Sequence, residues 1–496
     1  MTSDAYNELE KHFQRIANLE SAKAILHWDS ATKMPVGGAM ARIEQLATLD
    51  GVIHSLITDP DIGELIDKAK GKDIDSWSTR NLELMEQRWQ RASAVPAGLV
   101  EAYTRACVSC EACWRYARDR NDYSVLVPLL TEVVTLTRER ACALSDALDL
   151  MPYDALLDEH DPGCRVKELD KLFSELQNFL PSLTNEAMSR QEKQEKPRHE
   201  RARFPVKYQQ RVAKLLMLQL GLEDNHSRLD VSHHPFSGGV PDDVRITTRY
   251  NEDNMAQGLL GVLHETGHAL YERGLPKDWR GQPVGEAHGM AVHESQSLLI
   301  EMQVSRSQPF LTFLTTKLQS LFGDADFLQG VQDLSCLWTW VEPGLIRVDA
   351  DEVTYPSHII LRYELERQLI DGHLDPIDLP EAWSVGMGKY LGIVPLDDRD
   401  GCMQDIHWYT GEFGYFPSYT VGAVAAAQFF AAATGQMPQM DENIECGDFS
   451  LLLSWLRCNI HSCGSRYSRD QLLRRATGRE LETFDFERHL RKRYLD

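Results

Sequence analysis

The chain of 496 residues is long enough to bury a large hydrophobic core. It carries 52 basic and 75 acidic residues, for a formal net charge of −23 at pH 7, which argues against nucleic acid or an anionic membrane as the main partner. The sequence contains no apolar run long enough to span a bilayer, and MTSDAYNELEKHF at its start lacks the apolar core of a signal peptide. We therefore expect a cytoplasmic protein whose 10 cysteines are reduced.

Helical periodicity dominates the chain, beginning with an apolar stripe near the N-terminus at Tyr6, Leu9, Phe13, Ile16 and Leu19. The last residues, FDFERHLRKRYLD, also have a helical pattern. Between these ends, segments of helical length alternate with short turns rich in Pro, Gly or Asp. The charged segment MSRQEKQEKPRHERARF lacks an apolar face, so we expect an exposed loop or helix end there. The pattern predicts a mainly α-helical protein.

Three cysteines in CVSCEACW, Cys107, Cys110 and Cys113, resemble the beginning of an iron–sulfur pattern. The surrounding segment reads as a helix, which would bring the three residues roughly onto one face, and no fourth cysteine follows closely. We interpret them as a buried stripe of thiols, with a metal site or a redox sensor as the alternatives.

The clearest strand is DVRITTRY, residues 243–250, in which Val244 and Ile246 alternate with charged residues. A single strand is not stable alone, so we expect a small sheet with RLDVS or PFSGGV as the partner. This β element directly precedes a helix that carries polar residues.

That helix contains His264, Glu265 and His268 in the pattern H-E-x-x-H. Residues four apart share one helical face, so both imidazoles can bind one metal while Glu265 reaches a water beside it. Leu263 and Leu270 anchor the helix, and Gly274 followed by a proline ends it. The motif predicts a zinc hydrolase, although a helix with ordinary hydrogen-bonded histidines is the alternative.

A catalytic zinc requires a third protein ligand. The following segment, GEAHGMAVHESQSLLIEMQVSR, is predicted to form a second helix that returns along the first and brings Glu294 opposite the histidines. His288 and His293 are rival ligands, but two histidines and one glutamate are the commoner set in peptidases. Among possible outer partners of the ligand histidines, we consider Glu301 and Glu272.

These parts define a reaction. Water activated by zinc would attack the scissile carbonyl, with Glu265 accepting its proton and then delivering it to the leaving amine. A tyrosine or histidine from the last third of the chain would stabilise the oxyanion. Cobalt or manganese could occupy the same ligands.

Several ordered segments resemble the carboxypeptidase Taq family of zinc metallocarboxypeptidases over most of the chain. They are HWDSATKMPVGGAMARIEQLATL, HPFSGG, DVRITTRY, HETGH, HESQS, IRVDAD, GCMQDIHW, YPSHIILRYELE and GYFPSYTVGA. After HESQS the family usually continues with a basic residue and later an asparagine, whereas this chain reads LLIEM. The departure concerns local packing or the outer partners of the ligands, and it leaves the ligands themselves unchanged.

The resemblance implies one domain over residues 1–496, a two-lobed helical body with zinc at the floor of a deep groove and the small sheet beside it, and a homodimer. It gives Glu294 as the third ligand, and it implies broad-specificity release of single residues from a free C-terminus. A cationic side chain must then bind the terminal carboxylate. Arg347 is the first choice and Arg245 the second, with a salt bridge as the structural alternative for each.

The resemblance to the family also implies that His407 and Tyr419 lie near the substrate. Tyr419 is a candidate oxyanion donor, in competition with Tyr415, and His358 competes with His407. His234 is a weaker candidate. A buried hydrogen-bonded histidine or a core tyrosine is the alternative role for these residues.

We further hypothesise that DVRITTRY is an exposed edge strand that binds an extended peptide through main-chain hydrogen bonds. Two other functions compete with the carboxypeptidase. One is a zinc oligopeptidase that cuts short peptides internally, and the other is a non-enzymatic scaffold with a vestigial site. The complete set of His264, Glu265, His268 and Glu294 argues against the scaffold.

Overall fold

The computed structural model describes residues 4–71, 74–194, 204–232, 234–323 and 330–496. Within these ranges the protein is mainly α-helical with one small sheet, as the sequence predicts. None of the helices in these ranges combines the length and the apolar character needed to cross a membrane.

Nine helices precede the sheet in the described ranges: α1 (Asp4–Thr32), α2 (Ala39–Ile57), α3 (Pro60–Ala69), α4 (Ser76–Ala94), α5 (Ala97–Arg120), α6 (Val127–Leu148), α7 (Pro152–His160), α8 (Val166–Gln191) and α9 (Val206–Gln219). The charged segment predicted as a loop or helix end begins in the last turn of α8, and its residues 195–203 lie outside the described residues.

In the part of the chain after the sheet that the structure describes there are eleven helices: α10 (Met255–Gly274), α11 (Met290–Leu298), α12 (Gln308–Phe322), α13 (Val331–Trp338), α14 (Tyr355–Asp371), α15 (Leu379–Leu391), α16 (Pro417–Gln436), α17 (Met440–Cys446), α18 (Ser450–Asn459), α19 (Arg469–Thr477) and α20 (Phe484–Tyr494). Helix α11 begins later than its sequence pattern predicts, and it continues into a π-helical segment, Leu299–Val304.

The buried apolar side chains form two main cores. The smaller core contains side chains of all four helices α1, α2, α3 and α4. The predicted N-terminal stripe, including Phe13 and Ile16, lies within it. The larger core extends from α5 to the C-terminus. Cys107 and Cys110 are buried in it and Cys113 packs against it, which confirms the predicted thiol stripe. Burial raises the pKa of the Cys107 thiol to about 11, as expected of an inert core cysteine.

The sheet contains β1 (Ser227–Val231), β2 (Ser237–Val240) and β3 (Asp243–Thr248) in the order β1-β3-β2. Both predicted partner segments pair with β3, β1 in parallel and β2 antiparallel. The prediction that DVRITTRY is an edge strand is therefore wrong. Its backbone hydrogen bonds are used on both sides by neighbouring strands, so β3 cannot add a peptide as a further strand.

The sheet positions the helix with the H-E-x-x-H motif. Val244 and Ile246 of β3 point into the core, with exposed fractions of 1% and 0%. At the end of the strand, the hydroxyl of Thr248 donates a hydrogen bond to the carbonyl oxygen of Gly258 in α10, at 3.0 Å. A side chain on Gly258 would lie 2.9 Å from the carbonyl oxygen of Arg249, so glycine permits this close approach of strand and helix.

Replacement of Ile246 by proline tests the central position of β3. Proline removes one N–H from a ladder that is paired on both sides, so we expect Ile246→Pro to yield little folded protein. The control Ile246→Val should stay folded and lose about 1 kcal/mol in the free energy of unfolding. Circular dichroism and urea unfolding provide the measurement. A folded Ile246→Pro variant with normal stability would contradict the central placement.

Candidate metal centre

Helix α10 presents the two histidines and the glutamate of the motif from a buried segment. The side chain of Asn254 caps its first turn by accepting a hydrogen bond from the backbone N–H of Gln257, at 3.3 Å. Leu259 and Leu263 are fully buried on the core side. The helix runs to Gly274, as predicted, so His264 and His268 lie in its interior, more than one turn from either end.

Glu294 of α11 faces both histidines. Its carboxylate oxygens lie 3.7 Å from Nε2 of His264 and 3.5 Å from Nε2 of His268. Ligand atoms on a tetrahedral zinc, each about 2.0–2.2 Å from the metal, are roughly 3.3–3.6 Å apart. The three ligand atoms lie within 4.8 Å of one another, and among the described residues this is the one group of His, Cys, Asp or Glu with such geometry. The residues therefore fit a metal ion.

The other ring nitrogen of His264 is held by a carboxylate. Nδ1 of His264 lies 2.9 Å from Glu301, whose second oxygen accepts a hydrogen bond from Arg306 at 2.6 Å. This bond directs Nε2 of His264 toward Glu294 and is the usual arrangement around a ligand histidine. The predicted contact between Glu301 and His264 is present.

The ring of His268 is held by a second histidine. Nδ1 of His268 lies 2.6 Å from Nδ1 of His293, whose Nε2 lies 2.9 Å from Glu272. His293 thus contacts His268 from the side away from the cluster of His264, His268 and Glu294, and Glu272 is connected to His268 through it. His288, the other rival ligand, lies elsewhere, with its backbone N–H donating to the hydroxyl of Tyr271 at 3.0 Å.

The electrostatic environment of the cluster favours a cation. Burial alone would lower the pKa of His264, but the carboxylates of Glu294, Glu301 and Glu265 outweigh it and raise that pKa to about 10. Burial raises the pKa of Glu265 to about 7, against the opposing effect of His264. Several acidic groups in a site shielded from water stabilise positive charge strongly.

Two glycines bring α11 close enough for Glu294 to reach the histidines. A side chain on Gly267 of α10 would lie 2.5 Å from the carbonyl oxygen of Gln296 and 2.6 Å from Cα of Ser297. On the opposite side, a side chain on Gly422 of α16 would lie 2.8 Å from Cβ of Glu294. Contacts this short do not occur with a Cβ present, so α11 is held between two helices by the absence of side chains.

An aromatic cluster lies next to Glu294. The hydroxyl of Tyr419 is 3.3 Å from Nε2 of His407, and the ring of Tyr415 packs edge-on against that of Tyr419. Burial raises the pKa of Tyr419 above its usual value, and the charge of Glu294 acts on both phenols and on that of Tyr355. The predicted residues His407, Tyr419 and Tyr415 are therefore brought together beside the metal ligands.

Arg347 lies in a buried network of charges behind these rings. Its guanidinium donates to Asp405, with Nη2 at 2.8 Å, and stacks over Tyr419 at 4.8 Å. Arg362 donates to the same carboxylate at 2.6 Å. His358 is buried beside this network, where burial and the two arginines lower its pKa to about 3.

Arg245 is placed differently from Arg347. Its guanidinium pairs with Asp243 at 2.6 Å and lies over the ring of Trp28 at 4.3 Å. The structure thus shows, for Arg245 with Asp243 as for Arg347 with Asp405, the salt bridge that was the alternative role of each arginine. His234 follows β1 in the loop before β2, where its carbonyl oxygen accepts a bond from Ser232 at 2.5 Å.

Sequence reasoning missed four residues near the site: Tyr355, Arg362, Asp405 and Arg306. Asp405 and Tyr355 lie inside the segments GCMQDIHW and YPSHIILRYELE, so their presence was visible but their contacts were not. A buried arginine needs an acidic partner, and that requirement is the signal that would have directed attention to Asp405.

A helical protein in which H-E-x-x-H on one helix meets a glutamate from the next, with hydrogen-bond partners on both histidines, has the site of a metallopeptidase.

The Carboxypeptidase Taq (M32) metallopeptidase profile matches residues 8–494, and the chain belongs to this family. The chain is 40% identical over 503 residues to thermostable carboxypeptidase 1 of Thermus thermophilus, with 99% of this chain and 98% of that protein covered. It is 33% identical over 486 residues to carboxypeptidase 1 of Bacillus subtilis, with 95% of each covered. The protein is thus a metallocarboxypeptidase, a peptide hydrolase.

Solved structures show the same fold. Trypanosoma cruzi metallocarboxypeptidase 1 superposes with a TM-score of 0.95 at 37% identity over 99% of both chains. A Pyrococcus furiosus carboxypeptidase structure gives a TM-score of 0.95 at 30% identity over 100% of both chains. The family resemblance in the sequence is confirmed, and the comparisons support neither the oligopeptidase nor the scaffold.

The close contact at Gly267 can be tested against a second glycine of the same helix. We expect Gly267→Ala to push α11 away and to weaken both folding and metal retention, because the new Cβ meets backbone. The matched control, Gly261→Ala, meets nothing closer than 3.6 Å and should be neutral or stabilising by about 0.5–1 kcal/mol. Urea unfolding and metal content after dialysis measure both effects. Equal behaviour of the two variants would contradict the packing argument.

Proposed function

We propose that the protein is a zinc carboxypeptidase that releases single residues from the free C-terminus of peptides with broad specificity. The observation that carries this proposal is the cluster of His264, His268 and Glu294, with ligand atoms within 4.8 Å, in a chain of the carboxypeptidase Taq family. Glu265 is 6% exposed, and the charges of His264 and Glu294 act on its carboxyl group, which supports a position beside the cluster.

Zinc is proposed as the metal because two imidazoles and one carboxylate are a common ligand set of zinc hydrolases. Three protein ligands leave a fourth position open, as catalytic sites need. Cobalt or manganese could substitute, since both bind nitrogen and oxygen donors. Zinc in this position supplies a Lewis acid and an activated water.

Glu265 is proposed as the general base and acid. It follows His264 directly in α10, and the charges of His264 and Glu294 both act on its carboxyl group. Its raised pKa, about 7, lets the carboxylate accept a proton from the attacking water and return it to the leaving amine near neutral pH.

Tyr419 is the proposed oxyanion donor, and Tyr415 is its competitor. Burial keeps both phenols protonated, so each can donate a hydrogen bond to a developing negative charge.

His407 supports this arrangement through its contact with Tyr419. Burial lowers the pKa of His407 to about 3, so the ring is neutral, and its buried Nδ1 has no hydrogen-bond partner among the described residues. We propose that this nitrogen bonds the bound peptide.

Arg347 is the proposed anchor of the terminal carboxylate. Arg347 and Arg362 share the single carboxylate of Asp405, so two guanidiniums and one carboxylate leave one net positive charge in the network. His358 and His407 add none, because their pKa values are lowered to about 3. A buried net charge of this kind is stabilised by a ligand carboxylate. Arg245 is less suited because Asp243 neutralises it.

Three further features of the protein are proposed on narrower grounds. A single domain over residues 1–496 and a homodimer follow from the resemblance to the family, and sedimentation equilibrium tests the dimer. A cytoplasmic location fits the 10 cysteines, all of which are unpaired. Cell fractionation with an antibody to the chain tests the location.

Replacement of Glu265 tests the mechanism. Glu265→Gln keeps the size of the side chain but removes its basicity, so we expect kcat to fall by about 10³-fold or more while the metal stays bound. Peptide hydrolysis and metal analysis of the same sample provide the measurement. The exposed Glu442→Gln serves as the control and should match the wild type. A Glu265→Gln rate near that of the wild type would refute the assignment.

The anchor is tested by changing both the enzyme and the substrate. We expect Arg347→Gln to lower kcat/KM for a peptide with a free C-terminus by about 10²-fold, because a charge-assisted hydrogen bond of roughly 1.5–3 kcal/mol is lost. The same peptide as a C-terminal amide should be a poor substrate of the wild type and should be little affected by the change.

Arg245→Gln is the matched control for this experiment, and mass spectrometry of the products separates single-residue ladders from internal fragments. A larger effect of Arg245→Gln than of Arg347→Gln would indicate that Arg245, in the sheet, binds the terminal carboxylate. Internal fragments from amidated peptides would contradict the proposal that cleavage occurs at the C-terminus.

A further inference from the structure

We propose that Arg493, in the C-terminal helix α20, is a positioning residue for the metal centre that acts through the π-helical segment carrying Glu301. The proposal rests on the proposed function, because it concerns how tightly His264, His268 and Glu294 hold the metal. Arg493 touches neither ligands nor substrate, and its effect passes through the backbone around Glu301.

Arg493 binds the end of the π-helical segment. Nη1 donates to the carbonyl oxygen of Met302, and Nη2 donates to that of Gln303 at 2.9 Å. The last carbonyls of a helix lack intrahelical partners, and a cation placed there is favourable. One guanidinium therefore fixes two consecutive peptide groups immediately after Glu301.

The position of Glu301 matters because both of its oxygens are used. One lies 2.9 Å from Nδ1 of His264 and the other accepts from Arg306 at 2.6 Å. The π-helical segment, Leu299–Val304, widens the helix at this point, and Ser305 closes it by donating its N–H to the carbonyl oxygen of Ile300 at 2.9 Å. Such segments are rare and often occur at functional sites, since they displace side chains from the regular helical position.

A buried carboxylate keeps Arg493 in place. Glu352, whose side chain is fully buried, accepts from Nη1 of Arg493 at 3.0 Å and from the hydroxyl of Tyr494 at 2.8 Å. His489, one helical turn earlier in α20, lies 2.5 Å from the same carboxylate. Separating the buried carboxylate of Glu352 from these partners in α20 is energetically costly, because it would leave a buried charge unpaired. Helix α20 is therefore firmly attached beside the π-helical segment.

A second connection leads from α20 to the oxygen of Glu301 that Arg306 holds. The charges of Arg306 and Glu352 interact, so Arg306, which holds one oxygen of Glu301, belongs to the same electrostatic network as Arg493. Two routes therefore lead from α20 to Glu301, one through the carbonyls of the π-helical segment and one through Glu352 and Arg306. Loosening α20 leaves the ligands present but their orientation less well defined.

The experiment compares two arginines of the same helix. Arg493→Met removes both carbonyl contacts, whereas the control Arg491→Met removes a surface pair with Glu487 and leaves the π-helical segment untouched. For each protein, the affinity of the metal-free form for Zn²⁺ is measured by competition with a chromogenic chelator. The visible absorption spectrum of the Co²⁺-loaded form reports the ligand geometry, and thermal unfolding reports stability.

We expect Arg493→Met to bind Zn²⁺ about tenfold more weakly, at the lower end of the effects known for outer partners of metal ligands. Its Co²⁺ spectrum should shift, while Arg491→Met should match the wild type. Arg493→Lys retains the charge but has no planar fork for two acceptors, so it should show a smaller change in the same direction.

A lower melting temperature of Arg493→Met with unchanged Zn²⁺ affinity and Co²⁺ spectrum would overturn the inference, because Arg493 would then only stabilise the fold. If Arg493→Met does not fold, Arg493→Lys is judged by the same two metal readouts, and wild-type values for both would overturn the inference. Failure of the wild type to bind Zn²⁺ would instead overturn the proposed function itself.

Discussion

The close approach of α10, α11 and α16 is the constraint on which the rest of the site depends. Glu294 reaches the histidines only because Gly267 and Gly422 present no side chain to α11 on either side. The ligand distances of 3.5 Å and 3.7 Å are therefore set by helix packing and not by the flexibility of the glutamate side chain. A site built this way is preorganised, since the ligands need little rearrangement to bind a metal.

Around this packed centre, each ligand histidine is held by a different kind of partner. His264 is bonded to Glu301, which is paired with Arg306, whereas His268 is bonded to another imidazole, that of His293. The two nitrogen donors are thus electronically unequal: a carboxylate increases the basicity of one imidazole more than a histidine increases that of the other. Both of these partners, His293 and Glu301, come from the short stretch of chain that also carries Glu294.

Much of this centre is predictable from the sequence because its signals are local. The period of the helix brings His264 and His268 to one face, and the next helix carries Glu294. Glu301 lies seven residues after Glu294, as expected for the same face of a helix, although the structure has a π-helical segment at this point. What the sequence could not show depends on contacts between distant segments. Alternation identified β3 as a strand, but it cannot tell how many neighbours a strand has, and the edge-strand prediction was wrong for that reason. The pairing of Arg347 with Asp405, 58 residues away, likewise depends on the tertiary fold.

The burial of Arg347 has a consequence for the kind of molecule that the proposed enzyme can process. With 5% of its surface exposed, the guanidinium is out of reach of a chain end that is folded against its own domain. A carboxylate can approach it only at the tip of an extended segment, and binding through that group is indifferent to the side chains that precede it. Under the proposed role, the protein would distinguish degraded chains from intact ones by their shape, and it would need no recognition of sequence to spare the folded proteins around it.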